Sequence, residues 1–336
     1  GGIPLPNVNH AGVPEPDLSL IVKFDGQHWV DETGRHWDDK IRFNLPDKDV
    51  FVIDASGALP ALKPGNAGFF AHVGTTLFNM IVNPKNGKVY VTNTEARNDV
   101  RFEGLALFAD SSVRGHIVDN RITVLDSNGV RPRLLNKHID YDAAFDPLPN
   151  DTNALSVSQP NGMAITKDGK TLYTAVLGND KVVIHKTSQL EADTFYPDEV
   201  DQIPVSGGGP TGVVLDEAND RLYVMTRFDN GIAVIDTDAR EEIDHVSLHN
   251  PEPASLVAGR RFLYDAALTS SKGDQACASC HIFGDKDDLS WDLGNPDGDV
   301  VPPPSNFIDN FGVGYVDFHP MKGPMTTQSL RGMDNH

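Results

Sequence analysis

The chain is poor in cysteine, in basic charge and in long apolar runs, and each shortage excludes a class of protein. Two cysteines in 336 residues are too few for a disulfide-built scaffold. Lys and Arg number 28 against 48 Asp and Glu, a formal net charge of −20. Such a surface repels nucleic acid and anionic lipid, so neither is an expected partner. No run of about 18 apolar residues occurs, and no membrane-spanning helix is expected. The start, Gly1-Gly2-Ile3-Pro4-Leu5-Pro6, has neither the basic nor the apolar region of a signal peptide. An exported protein would be met here in processed form.

What is present is ordinary globular material. Apolar residues make up 39% and charged residues 23%, enough to bury a core. The 30 glycines and 23 prolines favour many turns and short elements over long helices. The length allows one large or two medium domains.

From about residue 45 to 247 the pattern is of short strands. Three segments overlay: Met80 to Asn93, Met163 to Ala175 and Val213 to Met225. Each reads as an apolar strand, a polar turn and a second strand carrying Tyr90, Tyr173 or Tyr223, a repeated hairpin. A third strand follows each, at Arg121–Asp126, Lys181–His185 and Gly231–Asp236, and an orphan strand reads Asp49–Asp54. Tyr173 and Tyr223 stand 50 residues apart, a blade-like period, and such sheets stack radially into a β-propeller. The repeats resemble the YVTN family of propeller repeats, whose name string is present as Tyr90-Val91-Thr92-Asn93. About four blades are legible, so the propeller is expected over residues 1–255 with some blades degenerate or missing. An insertion from Glu95 to Asn120 carries Arg97, Arg101, Arg114 and His116. It is read as a solvated loop, or as a place where arginines hold carboxylates or seat a second domain. His72 and His138 are read as structural.

The two cysteines lie together in Gln275-Ala276-Cys277-Ala278-Ser279-Cys280-His281. This C-x-x-C-H string is the attachment sequence of one covalent haem c. Two thiols add across the haem vinyl groups, and His281 brings an imidazole to the iron as proximal ligand. A zinc site would need four ligands, a thioredoxin-like pair would need a βαβ context, and a plain disulfide remains the bland alternative. Covalent haem implies, for such families, a periplasmic or extracellular location in a bacterium.

A short amphipathic helix is expected over Gly259–Ser270, leading into the motif. Together with Lys272-Gly273-Asp274-Gln275-Ala276, the motif resembles the first haem segment of bacterial di-haem cytochrome c peroxidases. Lys322-Gly323-Pro324-Met325 to Met333 is similar to a later segment of the same group. The resemblance implies a small, mainly α, c-type haem domain over residues 256–336, and one haem motif is present where that family has two. The candidates for the distal iron ligand are Met321, Met325, Met333, His319 and His336; Met325, in its Gly-Pro-Met context, ranks first, and each has a packing alternative. Asp285 to Asp299 holds six aspartates and an asparagine. It is read as a solvated acidic turn, with Ca2+ as the alternative, and Trp291 as a loop anchor or a haem contact.

Three functions remain open at this level. The first is a haem electron carrier whose propeller docks a redox partner with a basic surface. The second is a peroxidase-type oxidoreductase needing a second haem past His336, and the third is an extracellular structural or assembly protein with a haem relay, part of a larger assembly. No Ser/His/Asp arrangement, short-spaced histidine pair or phosphate loop is legible in the propeller region, and Gly207-Gly208-Gly209-Pro210 reads as a turn.

Overall fold

A computed structural model describes residues 21–31, 34–41, 47–100, 115–141, 143, 147–293 and 324–332. The chain divides into two compact units: Pro46–Ala96 with Val118–Gly284, and Gly1–Leu45 with Arg97–Ile117 and Asp285–His336. This division does not coincide with a boundary at residue 255, because the C-x-x-C-H segment belongs to the same unit as the repeated sheets. Among the described residues no helix is long and apolar enough to cross a membrane.

The larger unit is mainly β. Its first sheet runs β1 (Thr76–Val82), β2 (Val89–Ala96), β3 (Val118–Asp126) and β4 (Gly129–Leu134). The second runs β5 (Pro160–Ile165), β6 (Thr171–Val176), β7 (Lys181–Lys186) and β8 (Gln202–Pro204), and the third β9 (Pro210–Asp216), β10 (Arg221–Thr226), β11 (Gly231–Asp236) and β12 (Glu241–Ser247). Each is an antiparallel meander in which sequence neighbours pair. The overlay of the hairpins holds residue by residue: Ile81 faces Tyr90, Ala164 faces Tyr173 and Val214 faces Tyr223. Even the register shift near the start of the first strand recurs, at Leu77/Asn79, Pro160/Met163 and Pro210/Gly212.

The sheets stack in chain order with β5 between β1 and β9, as blades do in a β-propeller. The second and third sheets approach closely at Gly162, where a Cβ would stand 2.3 Å from the Thr211 carbonyl oxygen. One core, with Tyr90, Val124, Met163, Leu172 and Val183, lies between the first and second sheets. Another, with Tyr173, Ile184, Leu222, Val224 and Ile235, lies between the second and third. The equivalent tyrosines record the stacking: Tyr90 is fully buried, Tyr173 is 6% exposed, and Tyr223, on the outer face of the third sheet, is 40% exposed.

The orphan strand does not build a fourth four-stranded blade among the described residues. Val50–Phe51 pairs with Phe69–Phe70, and Ile53–Asp54 with Ala61–Leu62. Helices are short. The expected amphipathic helix is two pieces, α1 (Ala254–Tyr264) and α2 (Ala266–Thr269), broken at Asp265, whose side chain caps the second by accepting from the Leu268 N–H. A cytochrome c domain is not delineated as a separate body.

In the smaller unit, Lys23–Phe24 and Trp29–Val30 form a hairpin. Ser290–Asp292 pairs with Pro324–Thr326, and Asn98 binds this ladder by donating to the Ser290 carbonyl at 2.8 Å and accepting from the Asp292 N–H at 3.0 Å.

Candidate functional site

The C-x-x-C-H string folds as a tight turn over Cys277–Ser279. The N–H groups of Cys280 and His281 both point to the Cys277 carbonyl, at 3.3 and 2.9 Å, and Ser279 Oγ accepts from the Ala276 N–H at 3.0 Å. Small residues make this possible: Ala276, Ala278 and Ser279 are the buried side of the turn. Cys277 is exposed, Cys280 and His281 are half-buried, and no disulfide joins the cysteines. Cys277, Cys280 and His281 stand at i, i+3 and i+4 of this turn, positions that share one side of a helical turn. The left-handed Phe283 (φ 53°) and Gly284 (φ 75°) then end it.

Apolar side chains are exposed on the elements next to the turn, where a large apolar group could lie. α1 lies against the turn, yet none of its residues is buried; Leu256 and Phe262 are 58% and 69% exposed, and Leu268 and Phe283 are exposed as well.

The approach to the turn is bolted to the sheets by buried amides. Asn120, at the start of β3, accepts from the Gln159 N–H at 2.8 Å and donates to the Asp274 carbonyl at 2.7 Å. Asn179, after β6, accepts from the Ser158 N–H and donates to the Gly273 carbonyl at 2.7 Å. Asn153 donates to the Ser270 carbonyl at 2.7 Å. Tyr141 donates its hydroxyl proton to Asp274 at 2.6 Å. Arg261 of α1 pairs with Asp180 and Asp265 at 2.6 and 2.9 Å, and lies over the Phe228 ring. Burial, the largest influence on Asp265, together with the Asp180 charge raises its carboxyl above the usual range despite Arg261. The sequence reading missed these asparagines; an asparagine after a strand reads as a turn residue, and its partners lie 94 to 154 residues away.

The remaining sequence candidates are dispersed. Met325 faces Trp291 across the short ladder of the smaller unit, whereas His281 belongs to the larger one. Met321, Met333, His319 and His336 lie outside the described residues, as do Arg101, Arg114 and residues 294–299 of the acidic run. The described aspartates of that run serve different partners: Asp285 pairs with Arg331, Asp287 accepts from the Trp291 indole at 2.8 Å, and Asp288 pairs with Lys286. Arg97 donates to the His116 carbonyl at 2.9 Å. His72 pairs with Asp47, and His138 is held by the Thr152 carbonyl and the Ser156 hydroxyl.

Folding assembles one Ser/His/Asp group that the sequence hides. His245 lies 2.7 Å from Asp229 through Nε2, and 3.1 Å from both Glu242 and Ser206 through Nδ1. Burial pulls its pKa down, but hydrogen bonds and charge from Asp229 and Glu242 outweigh that and raise it. Ser206 gives its proton to Glu242 at 2.5 Å. The four side chains form one hydrogen-bonded cluster that ties the third sheet to the loop at Ser206.

No protein-family model and no curated protein sequence matches the chain. Among solved structures, Kuenenia stuttgartiensis hydrazine synthase is similar at 23% identity and a TM-score of 0.34, over 49% of this chain and 46% of that one. The β-propeller domain of the Trilobed protease from Pyrococcus furiosus matches at 11% identity and 0.29, over 52% and 43%. The Pseudomonas aeruginosa periplasmic gluconolactonase matches at 12% and 0.31, over 62% and 66%. The chain spans about half the length of the hydrazine synthase chain that it matches, and none of these activities passes to it.

Proposed function

We propose that this chain is a c-type haem protein that transfers electrons, with the stacked sheets as the scaffold that holds the haem segment and docks a redox partner. The observation that carries the reading is the Cys277–His281 turn, with Cys277 exposed, Cys280 and His281 half-buried and the small residues Ala276, Ala278 and Ser279 buried. Haem, when bound, supplies a one-electron couple set by its axial ligands and burial. Cys277 and Cys280 would hold it covalently, and His281 would supply the proximal nitrogen. Leu256, Phe262 and Phe283 would cover it and exclude water. Asn120 and Asn179 fix the backbone ahead of the turn, so little of the site has to reorganise when the iron changes charge. A net charge of −20 steers a basic partner toward the molecule.

Optical spectra of the oxidised and reduced protein, with and without carbon monoxide and peroxide, test this. The expected result is a covalently attached, low-spin haem unmoved by either ligand and lost from the chain in Cys277→Ser plus Cys280→Ser. A high-spin iron that shifts with peroxide would replace electron transfer by a peroxidase-type reading, and absence of covalent haem in a host able to attach it would overturn both.

A further inference from the structure

The hairpin at residues 23–38 gathers a second set of metal-binding side chains, unrelated to the C-x-x-C-H turn. A tight turn holds its tip: Asp25 Oδ1 accepts from the N–H groups of Gln27 and His28 at 2.8 and 2.7 Å. The chain then doubles back, with Trp37 N–H donating to the Trp29 carbonyl at 2.8 Å and Val30 bridged to His36. Buried Asp31 locks this return, accepting from Arg35 Nε at 2.6 Å and from the Trp37 indole at 3.0 Å. As a result the His28 and His36 rings stack, with centroids 4.1 Å apart and planes 25° apart. Asp38 reaches back to the same place: Oδ1 accepts from the Trp29 N–H at 3.1 Å and Oδ2 lies 3.0 Å from His28 Nδ1. One donor atom from each of His28, His36 and Asp38 lies within 4.8 Å of the others.

We propose that His28, His36 and Asp38 form a binding site for a divalent transition-metal ion of the zinc class, with water completing the coordination. Two imidazoles and a carboxylate are the donor set of open three-ligand sites, which keep a position for water. Ligand atoms of a tetrahedral zinc, at about 2.0–2.1 Å from the metal, stand about 3.3 Å from one another. Side-chain rotations bring donors already within 4.8 Å to that spacing, and His36 and Asp38 are exposed and able to turn. The backbone bonds of the hairpin and the bonds of Asp25 and Asp31 involve no proposed ligand atom; the ion would replace the His28–Asp38 contact through Oδ2, while Asp38 Oδ1 can keep the Trp29 N–H. By the order of divalent affinities, copper(II) binds the same donors more tightly than zinc, and calcium and magnesium, which prefer oxygen, bind weakly.

Isothermal titration of the metal-stripped, haem-loaded chain with zinc chloride tests the site, with His36→Ala, Asp38→Asn and, as a control in the other unit, His72→Ala. The expected result is one tight zinc equivalent per chain, weakened at least about tenfold in His36→Ala and Asp38→Asn and retained in His72→Ala. Thermal melts with and without zinc guard against misfolding. Zinc is expected to raise the midpoint of the wild type and of His72→Ala, and to leave the two site variants where they melt without it. An isotherm with no stoichiometric zinc, or one unchanged in both site variants, overturns the proposal. Haem content and spectrum remain those of the wild type in either case, so this result and that of the haem reading are separate.

Discussion

At the scale of single residues, buried polar groups set the pH limits of the fold. His185 of β7 is fully buried, edge-on to Phe195 at 4.9 Å, and neither ring nitrogen has a hydrogen-bond partner. Desolvation pushes its pKa down to about 4 from 6.5. The folded state therefore binds fewer protons than the unfolded one between those values, and the stability present above pH 6.5 is lost as the pH falls through 4. The loss amounts to about 3 kcal/mol. His185→Phe is expected to flatten urea midpoints between pH 7 and 4.5, whereas a wild-type midpoint already flat over that range would refute the burial argument. Lys181 behaves in the same sense at higher pH. Burial brings it to about 7, and its ammonium nitrogen lies 2.7 Å from the Ala154 carbonyl and 2.8 Å from Gln202.

At the scale of elements, the segment before the haem motif has little structure of its own and takes its shape from amides on the sheets. Removing Asn179 strips a buried partner from both the Ser158 N–H and the Gly273 carbonyl, a cost of about 1–3 kcal/mol. Asn120→Ala does the same at Gln159 and Asp274. Both variants are expected to melt several degrees lower and, if haem is bound, to shift its reduction potential; an unchanged melting point would show that water replaces the amide. Gly273 carries a different constraint. Its φ is +71°, and a Cβ would stand 2.8 Å from the Asn153 carbonyl oxygen. Gly273→Ala thus meets both a left-handed backbone and a backbone clash, and is expected to destabilise more than either asparagine variant, as read by denaturant titration.

At the scale of the whole molecule, the sheets of the larger unit stack in one direction, and among the described residues the third sheet keeps Val214 and Tyr223 exposed. Val214 and Val224 lie on neighbouring strands of the third sheet, but Val214 is 66% exposed and Val224 is fully buried against the second sheet. Val224→Asp buries a charge without a partner and is expected to abolish folding, while Val214→Asp is expected to stay within about 0.5 kcal/mol of the wild type. Equal losses in thermal melts would mean that the outer face is covered in solution. The three sheets were legible in advance because strand pairing is local: hairpin turns of equal length fixed the Tyr90, Tyr173 and Tyr223 register, and period-2 patterning marked the strands. The orphan strand at Asp49–Asp54 was read as the trace of a further blade, and pairs instead with two short neighbours.

By itself the sequence determined what is local: the repeated hairpins, the acidic surface, and the cysteine and histidine spacing that one helical turn can align. Tertiary structure decided what depends on distant partners. It joined the C-x-x-C-H segment to the sheets through Asn120, Asn153 and Asn179, and it buried Val224 while Val214 stayed exposed. It also brought Ser206, His245 and Asp229 into one hydrogen-bonded cluster, and stacked His28 on His36. An asparagine or histidine carries no mark of which carbonyl or carboxylate will stand opposite it; that is settled only when packed sheets bring together backbone groups that must each find a hydrogen bond.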